Sequence, residues 1–245
     1  MSTARFYIQG DDMVDEYLTV VVGNSIVLVP EADGVAAYDD LLNSTLLAQL
    51  VANKKVEKST GINWYDAYVG VLDDFWLRQK KTKQTWEFSL DAEELAPDVF
   101  TAMLTNGALG ETHTIATVLA RIATLPGDDP ALQLLRRCMQ ASVEPESSAE
   151  PAPLADVRLL VICAKSPTSI TSAYVEFKTR RVLGPNPFQQ PYPTCDLQGL
   201  VYVHHARANL SETLYGPARD AIALKVSGKV AGNVATLTLP TEIES

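Results

Sequence analysis

The sequence contains few of the residues from which proteins build reactive or metal-binding sites. Its 245 residues include three cysteines and three histidines. Cys138, Cys163 and Cys195 form no CxxC pair and no disulfide framework, so a reducing compartment is expected. The histidines show neither an HExxH motif nor a zinc-ligand spacing, and no metal site is predicted.

The motifs of cofactor-dependent and hydrolytic enzymes are also missing. No GxGxxG follows a predicted strand, and neither GxxxxGK[ST] nor GxSxG occurs. Adjacent strand residues point to opposite faces, so His204 and His205 are not expected to share one site. An enzyme built from dispersed acids and histidines, including His113, is the least supported of three hypotheses. We therefore predict a protein that is not an enzyme and has no cofactor.

Positive charge is scarce in the chain as a whole. Lys and Arg number 20 against 30 Asp and Glu, which gives a net charge of −10. This balance argues against nucleic acid as a partner, although a local basic patch remains compatible with it. No apolar run is long enough for a membrane-spanning helix, and the first residues do not resemble a secretory signal. The expected location is the cytoplasm, with movement to a membrane on activation.

Hydrophobic patterning predicts an α+β fold with a twisted, mainly antiparallel sheet, a helical middle segment and long amphipathic hairpins. The chain is expected to form a single domain over 1–245, with a flexible, acidic, proline-rich loop at 142–155. A Gly-Asn pair predicts a hairpin of Leu18–Val22 with Ser25–Val29. Further predicted elements include a helix at Asp39–Lys55 and a helix at Ala131–Gln140, which begins with Asp129 as its cap followed by Pro130. Strands are predicted at Val157–Ala164, Ser169–Val182, Leu200–Ala206 and Ile222–Val234.

Two of these segments alternate in the way expected of amphipathic strands. Ser169–Val182 places Val175 and Phe177 on one face and mostly polar residues on the other. The segment from Ala221 to Val234 alternates similarly, with Gly228 and Gly232 making it bendable. The candidate membrane-inserting residues are Val175, Phe177, Ile222, Leu224, Val226 and Val230.

A short basic run is the clearest candidate for a contact with anionic lipid. Arg78, Lys80, Lys81 and Lys83 occupy six positions without an acidic residue, between Trp76 and Trp86. A basic loop flanked by aromatic residues suits a lipid surface, where each charge contributes roughly 1 kcal/mol. The alternative is a solvated turn between two strands. A second basic candidate is the pair Arg180 and Arg181.

The order of elements resembles the pore-forming domain of gasdermins. The helix Ala131–Gln140, the acidic link, and the strands Val157–Ala164 and Ser169–Val182 are similar to a helix–strand–strand passage in that family. In Ala223–Leu239, which a proline follows, apolar and polar residues alternate and glycines interrupt the pattern. This pattern is similar to that of a gasdermin hairpin. The resemblance implies a twisted sheet whose hairpins rearrange into an oligomeric pore, as in the fungal gasdermin-like regulators of cell death.

The sequence thus favours a membrane-permeabilising protein that oligomerises on anionic lipid through amphipathic hairpins and triggers cell death. Its expected partners are anionic membrane lipids and other copies of itself or of a related chain. The alternative is a structural assembly protein, such as a ring component of a phage or secretion tube. Both hypotheses require strands that pair between copies, but only the first requires lipid.

Overall fold

The fold is built around one mixed sheet, described here from a computed structural model of residues 17–59, 61–87, 96–105, 111–142, 155–190, 192 and 196–240. The strand order is β3-β7-β6-β5-β2-β1-β8, and β4 pairs with one end of β5. Among the strand pairs of the described residues, only β2–β5 is parallel. The α+β class predicted from the sequence is therefore confirmed. The interior of the predicted loop, residues 143–154, lies outside the described residues.

The described elements have the following bounds. The strands are β1 Tyr17–Val22, β2 Ser25–Pro30, β3 Trp76–Glu87, β4 Gln140–Ser142, β5 Ala155–Ser166, β6 Ser169–Thr179, β7 Leu197–Leu210 and β8 Val234–Leu237. The helices are α1 Asp39–Lys58, α2 Trp64–Leu72, α3 Ala96–Thr105, α4 Thr112–Ala123, α5 Pro130–Met139, α6 Glu212–Tyr215 and α7 Arg219–Asn233.

Local sequence signals correctly predict the first hairpin and the first helix. β1 and β2 pair across a turn at Gly23, whose φ of 55° suits glycine. The side chain of Gln49 on α1 closes this turn. Its Nε2 donates to Val22 O at 2.8 Å and to Ser25 Oγ at 2.6 Å, and its Oε1 accepts from Asn24 N at 3.1 Å. Helix α1 is therefore fixed to the hairpin by buried polar contacts as well as by apolar packing.

Helices cover both faces of the sheet and create two hydrophobic cores. We call the side under α3, α4 and α5 the α3–α5 face, and the side under α1, α2 and α7 the α1–α2 face. On the central strands, the apolar residues of the α3–α5 face are Leu159, Val161, Ala173, Val175, Phe177, Val201 and Val203. Those of the α1–α2 face are Leu160, Ile162, Ala164, Ile170, Tyr174 and Ala208.

The segment after β6 contacts α4 through the side chain of Asn186 and α5 through a backbone carbonyl, since Arg136 Nε on α5 donates to Leu183 O at 2.9 Å. Asn186 Nδ2 donates to Ile122 O at 2.9 Å and to Leu125 O at 3.0 Å, at the carboxyl end of α4. Asp129 caps α5, as the sequence predicts, by accepting from the backbone of Ala131 and Leu132 at 2.9 Å each. The segment thus fixes the layer that covers β6.

The strand predicted over Ile222–Val234 is wrong, because most of this segment forms α7. The helix buries Ile222 and Val226, which are four residues apart and therefore lie on one helical face. Its first residue, Arg219, pairs with Asp40 on α1, with Nε 3.0 Å from Oδ2. Tertiary contacts with α1 outweigh the preference of the alternating pattern for a strand. Of the predicted strand, only Val234 is extended, as the first residue of β8.

Candidate membrane-contact surface

The basic run lies in the middle of a strand and not in a loop or turn, which corrects both interpretations made from the sequence. β3 is an edge strand of 12 residues whose neighbour in the described part of the sheet is β7. Charged residues, lysine above all, are common on edge strands because they discourage unwanted pairing. Trp76 does not flank an exposed loop, since it is 1% exposed and donates from Nε1 to Ser44 Oγ at 3.1 Å.

The four basic residues of β3 have different surroundings. Arg78 forms an ion pair with Asp73 and is partly neutralised. Lys80 lies opposite Arg207 on the α3–α5 face. Lys81 and Lys83 lie on the α1–α2 face, because their side chains point to the other side of the strand. All three lysines are exposed, and none forms an ion pair with the residues that the structure describes. The exposed charge of this edge is therefore carried by the lysines.

Arg180 and Arg181 follow β6 and form a separate basic site. Arg181 pairs with Asp196, with Nε 3.0 Å from Oδ2, and the Arg180 backbone amide donates to Asp196 O at 2.9 Å. Lys83 is level with Tyr174 in the middle of β6, six positions before Arg180. At 3.3 Å per residue, the two basic sites are roughly 20 Å apart. The fold does not bring the predicted lipid-binding residues into one patch.

Val175 and Phe177 lie on one face of β6, as the alternation predicts, but both are buried. Their exposures are 0% and 1%. In register, Val175 lies between Leu159 of β5 and Val203 of β7. The central strands therefore present a continuous apolar surface on the α3–α5 face. Sequence analysis predicted these strands separately but had no means of aligning their side chains.

Helix α3 covers this apolar surface with the buried side chains of Phe100, Met103 and Leu104 and makes one polar contact with it. Phe100 is fully buried, with its ring centroid 5.8 Å from that of Phe177 and 5.3 Å from that of Phe188. His205 lies within hydrogen-bonding distance of Leu104 O, with Nε2 at 2.8 Å. Burial lowers the pKa of His205, so the imidazole is held in its neutral form. Exposing the surface would require these contacts to break, together with those of the other elements that share this core.

The α1–α2 face of the same strands carries a polar row at one end. Arg158, Glu176, Tyr202 and Thr85 lie side by side across β5, β6, β7 and β3. Arg158 Nε donates to Glu176 Oε1 at 2.8 Å, and its guanidinium lies 6.0 Å from the ring centroid of Trp64. In this part of the sheet one face is apolar and the other is polar and aromatic. Such a division suits strands that separate lipid from water.

A stack of aromatic rings attaches α2 to the α1–α2 face of the sheet. Trp64 stacks on Tyr174 at 5.8 Å, and Tyr65 stacks on Tyr174 at 4.5 Å and on His204 at 4.2 Å. Burial, followed by the charge of Lys83, lowers the pKa of His204 from 6.5 to about 4. His204 and His205 thus serve opposite faces, as the sequence predicts.

The remaining predicted inserting residues lie on α7 and not on a hairpin. Ile222 and Val226 are buried against the α1–α2 layer. Leu224 is 77% exposed and Val230 is 37% exposed. The helix therefore separates residues that an extended chain would place on one face.

In the described ranges, no group of three or more His, Cys, Asp or Glu side chains is arranged to hold a metal ion. None of the helices described is both long enough and apolar enough to cross a bilayer.

Comparisons with known proteins give no family. No protein-family model matches the chain, and no curated protein matches it. Among solved structures, a delta-endotoxin is similar with a TM-score of 0.39 and 8% identity, over 76% of this chain and 80% of the other. A structure of the Evf virulence factor is similar with a TM-score of 0.33 and 12% identity, over 94% and 88%. Likenesses this low carry no argument, and the gasdermin resemblance stays a prediction.

Proposed function

We propose that the protein permeabilises membranes by binding anionic lipid and assembling, in several copies, a pore lined by strands of its sheet. The observation that carries the proposal is the run of four neighbouring antiparallel strands β5, β6, β7 and β3, of 12, 11, 14 and 12 residues. A tilted strand needs about 9–11 residues to cross the hydrocarbon core of a bilayer. The proposal keeps the pore-forming activity that the gasdermin resemblance implies and transfers no residue role from that family.

The two faces of these strands support the assignment of a lipid side. Removal of the whole covering layer, which comprises α3, α4, α5 and the segment after β6, would expose a connected apolar surface that includes Leu159, Val175, Phe177 and Val203. At one end of these strands the opposite face would keep the Arg158–Glu176 pair towards water. The rest of that face is mainly apolar and would stay covered by α1 and α2. Lipid would compensate for the lost contacts with the helices, because buried apolar area is stabilising whether the neighbour is a helix or an acyl chain.

Oligomerisation follows from the edge strand. In the described part of the sheet β3 has a strand on one side, so its other backbone groups would lack partners inside a bilayer. Pairing with another copy, or with a related chain, would satisfy them. Lys80, Lys81 and Lys83 would first attract the protein to an anionic surface and later have to face water or lipid headgroups.

The proposal is tested by dye leakage from vesicles that contain cardiolipin or phosphoinositide, with phosphatidylcholine vesicles as the neutral reference. Lys80→Glu/Lys81→Glu should weaken vesicle binding about thirtyfold or more, since each lysine contributes roughly 1 kcal/mol. The matched control is Lys54→Glu/Lys55→Glu, which changes the net charge equally at the exposed end of α1. The proposal is wrong if the wild-type protein neither binds anionic vesicles nor releases dye from them.

A second experiment tests whether α3 has to leave. Phe100→Leu should loosen α3 and increase leakage at a given protein concentration, because it removes ring contacts with Phe177 and Phe188. Leu46→Ala is the control, since it removes a residue 1% exposed in the other core. If both variants change leakage in proportion to their loss of stability, α3 has no special role.

The same preparations distinguish the alternative assembly function. Rings or tubes seen by electron microscopy in lipid-free solution, together with intact vesicles, would favour a structural assembly protein. Particles that form only on anionic vesicles and leak dye would favour the pore.

A further inference from the structure

Strand β3 offers backbone groups that an added strand could use. From Lys80 to Glu87 it pairs with β7 in one uninterrupted antiparallel register. On an edge strand of an antiparallel pair, every second residue directs both its N–H and its C=O away from the neighbouring strand. In the described part of the sheet β3 has a neighbour on one side. This stretch therefore presents about four outward pairs of backbone groups.

The side chains along this edge are exposed on both faces of the sheet. Lys80 and Lys81 are consecutive, so their side chains point to opposite faces, and both are exposed. Lys83 and Thr85, which lie on the same face as Lys81, are exposed as well. Neither helical layer closes over these side chains. We call the stretch from Lys80 to Thr85 the basic edge.

The basic edge lacks most of the features by which edge strands avoid pairing. Such strands are commonly short, interrupted by a bulge or proline, or charged. β3 has 12 residues and no proline. Its register shift lies between Arg78 and Lys80 and leaves the basic edge regular. Charge is the remaining protection, and it acts only against a strand of the same charge. The lysines therefore select a partner and do not exclude every partner.

The positions of the lysines determine which strand fits. Two basic edges paired with each other would place lysine opposite lysine, and like charges in opposite positions destabilise a strand pair. Acidic side chains opposite Lys83, Lys81 and Lys80 would instead form three cross-strand ion pairs, because opposite residues have Cβ atoms about 5 Å apart. Antiparallel pairing is slightly more stable than parallel pairing. In that direction the matching strand has the pattern acid–x–acid–acid, with acids on both of its faces.

We propose that the basic edge is a docking site for a partner protein, which adds an extended segment of the pattern acid–x–acid–acid as an antiparallel strand beside β3. Backbone hydrogen bonds supply the affinity of such a complex, and the three lysines supply its selectivity. The binding of this strand is independent of the proposed membrane function. Its consequence rests on that function: the bound strand covers the lysines and the backbone groups that assembly on lipid would use, so the partner inhibits leakage.

The probe is a short synthetic peptide of alternating threonine and valine with the run Glu-Val-Glu-Glu at its centre, and fluorescence anisotropy measures its binding to the full chain. The control peptide carries N-methyl groups on two consecutive central residues. It keeps every side chain but loses a donor that faces β3, because such donors alternate along a strand. The unmodified peptide should bind at least about tenfold more tightly. It should also slow hydrogen exchange at alternate amides between Lys80 and Glu87. Equal binding of the two peptides, or unchanged exchange, would overturn the inference.

A charge reversal tests the register. Lys81→Glu/Lys83→Glu should weaken binding of the glutamate peptide roughly tenfold, because two opposite-charge pairs become like-charge pairs. A peptide with lysine at the two matching positions should restore the affinity. The control Lys54→Glu/Lys55→Glu changes the net charge equally on α1 and should alter neither affinity more than about twofold. Failure of the lysine peptide to restore binding would contradict the proposed pairing.

Dye leakage separates this inference from the proposed function. A saturating amount of the glutamate peptide should suppress leakage from cardiolipin vesicles, whereas the N-methylated peptide should not. Protein that leaks vesicles but binds neither peptide overturns the inference and leaves the proposed function intact. Protein that binds the glutamate peptide but neither binds nor leaks vesicles overturns the proposed function and supports the docking site. Leakage that continues unchanged with the peptide bound would overturn the inhibitory role.

Discussion

Replacing His204 by phenylalanine should remove part of the protein's sensitivity to mild acid. The imidazole stacks on Tyr65 at 4.2 Å between centroids, and Lys83 lies opposite it on β3. Phenylalanine keeps a flat ring in this position but has no site for a proton. The other groups that act on His204 are Asp66 on α2, which favours the charged form, and His205 on the same strand, which opposes it.

The sign and the size of the effect follow from the lowered pKa. The folded state holds His204 neutral with a pKa of about 4, whereas the unfolded chain binds the proton near 6.5. Stability is therefore present above pH 6.5 and is lost as the pH falls towards 4. Between pH 7 and pH 5 the full shift corresponds to about 1.8 kcal/mol. Because the ring is partly exposed, we expect roughly half of this, about 1 kcal/mol.

The measurement is urea unfolding at pH 7 and pH 5 for the wild type, His204→Phe and His204→Gln. The wild type should lose about 1 kcal/mol more free energy of unfolding than either variant over this interval, since all other titrating groups are shared. His204→Gln should in addition be less stable than His204→Phe at pH 7, because it lacks the stack. Equal pH dependence in all three proteins would refute the argument that burial keeps this histidine neutral.

Two further predictions concern the polar contacts that fix each helical layer. Gly23→Ala should lower the free energy of unfolding by about 3 kcal/mol, because its Cβ would collide with Gln49 at a φ of 55° and displace buried hydrogen bonds. Gly61→Ala, at a φ of 89° with open space around it, should cost only about 1 kcal/mol in the same urea titration. Asn186→Ala should cost about 2 kcal/mol and speed hydrogen exchange at the end of α4, where its amide contacts Ile122 O. Unchanged exchange there would show that the asparagine does not hold the helix.

The sequence alone determined the elements whose signals are local. The Gly-Asn turn defined the β1–β2 hairpin, and Asp129 before Pro130 defined the start of α5. Alternation correctly placed Val175 and Phe177 on one face of β6, since side chains of a strand alternate whatever surrounds it. The sequence also identified the basic residues of β3, but it placed them in a loop or turn and not in a strand.

Only the tertiary structure decided which surfaces those elements cover. Burial of Phe177 depends on α3, which packs there through Phe100 although nothing in the local sequence of β6 encodes this contact. The helical state of α7 depends on α1, whose packing against Ile222 and Val226 overcomes a sequence that favours a strand. Local propensities differ by about 1 kcal/mol or less per residue, so contacts between distant segments can reverse them.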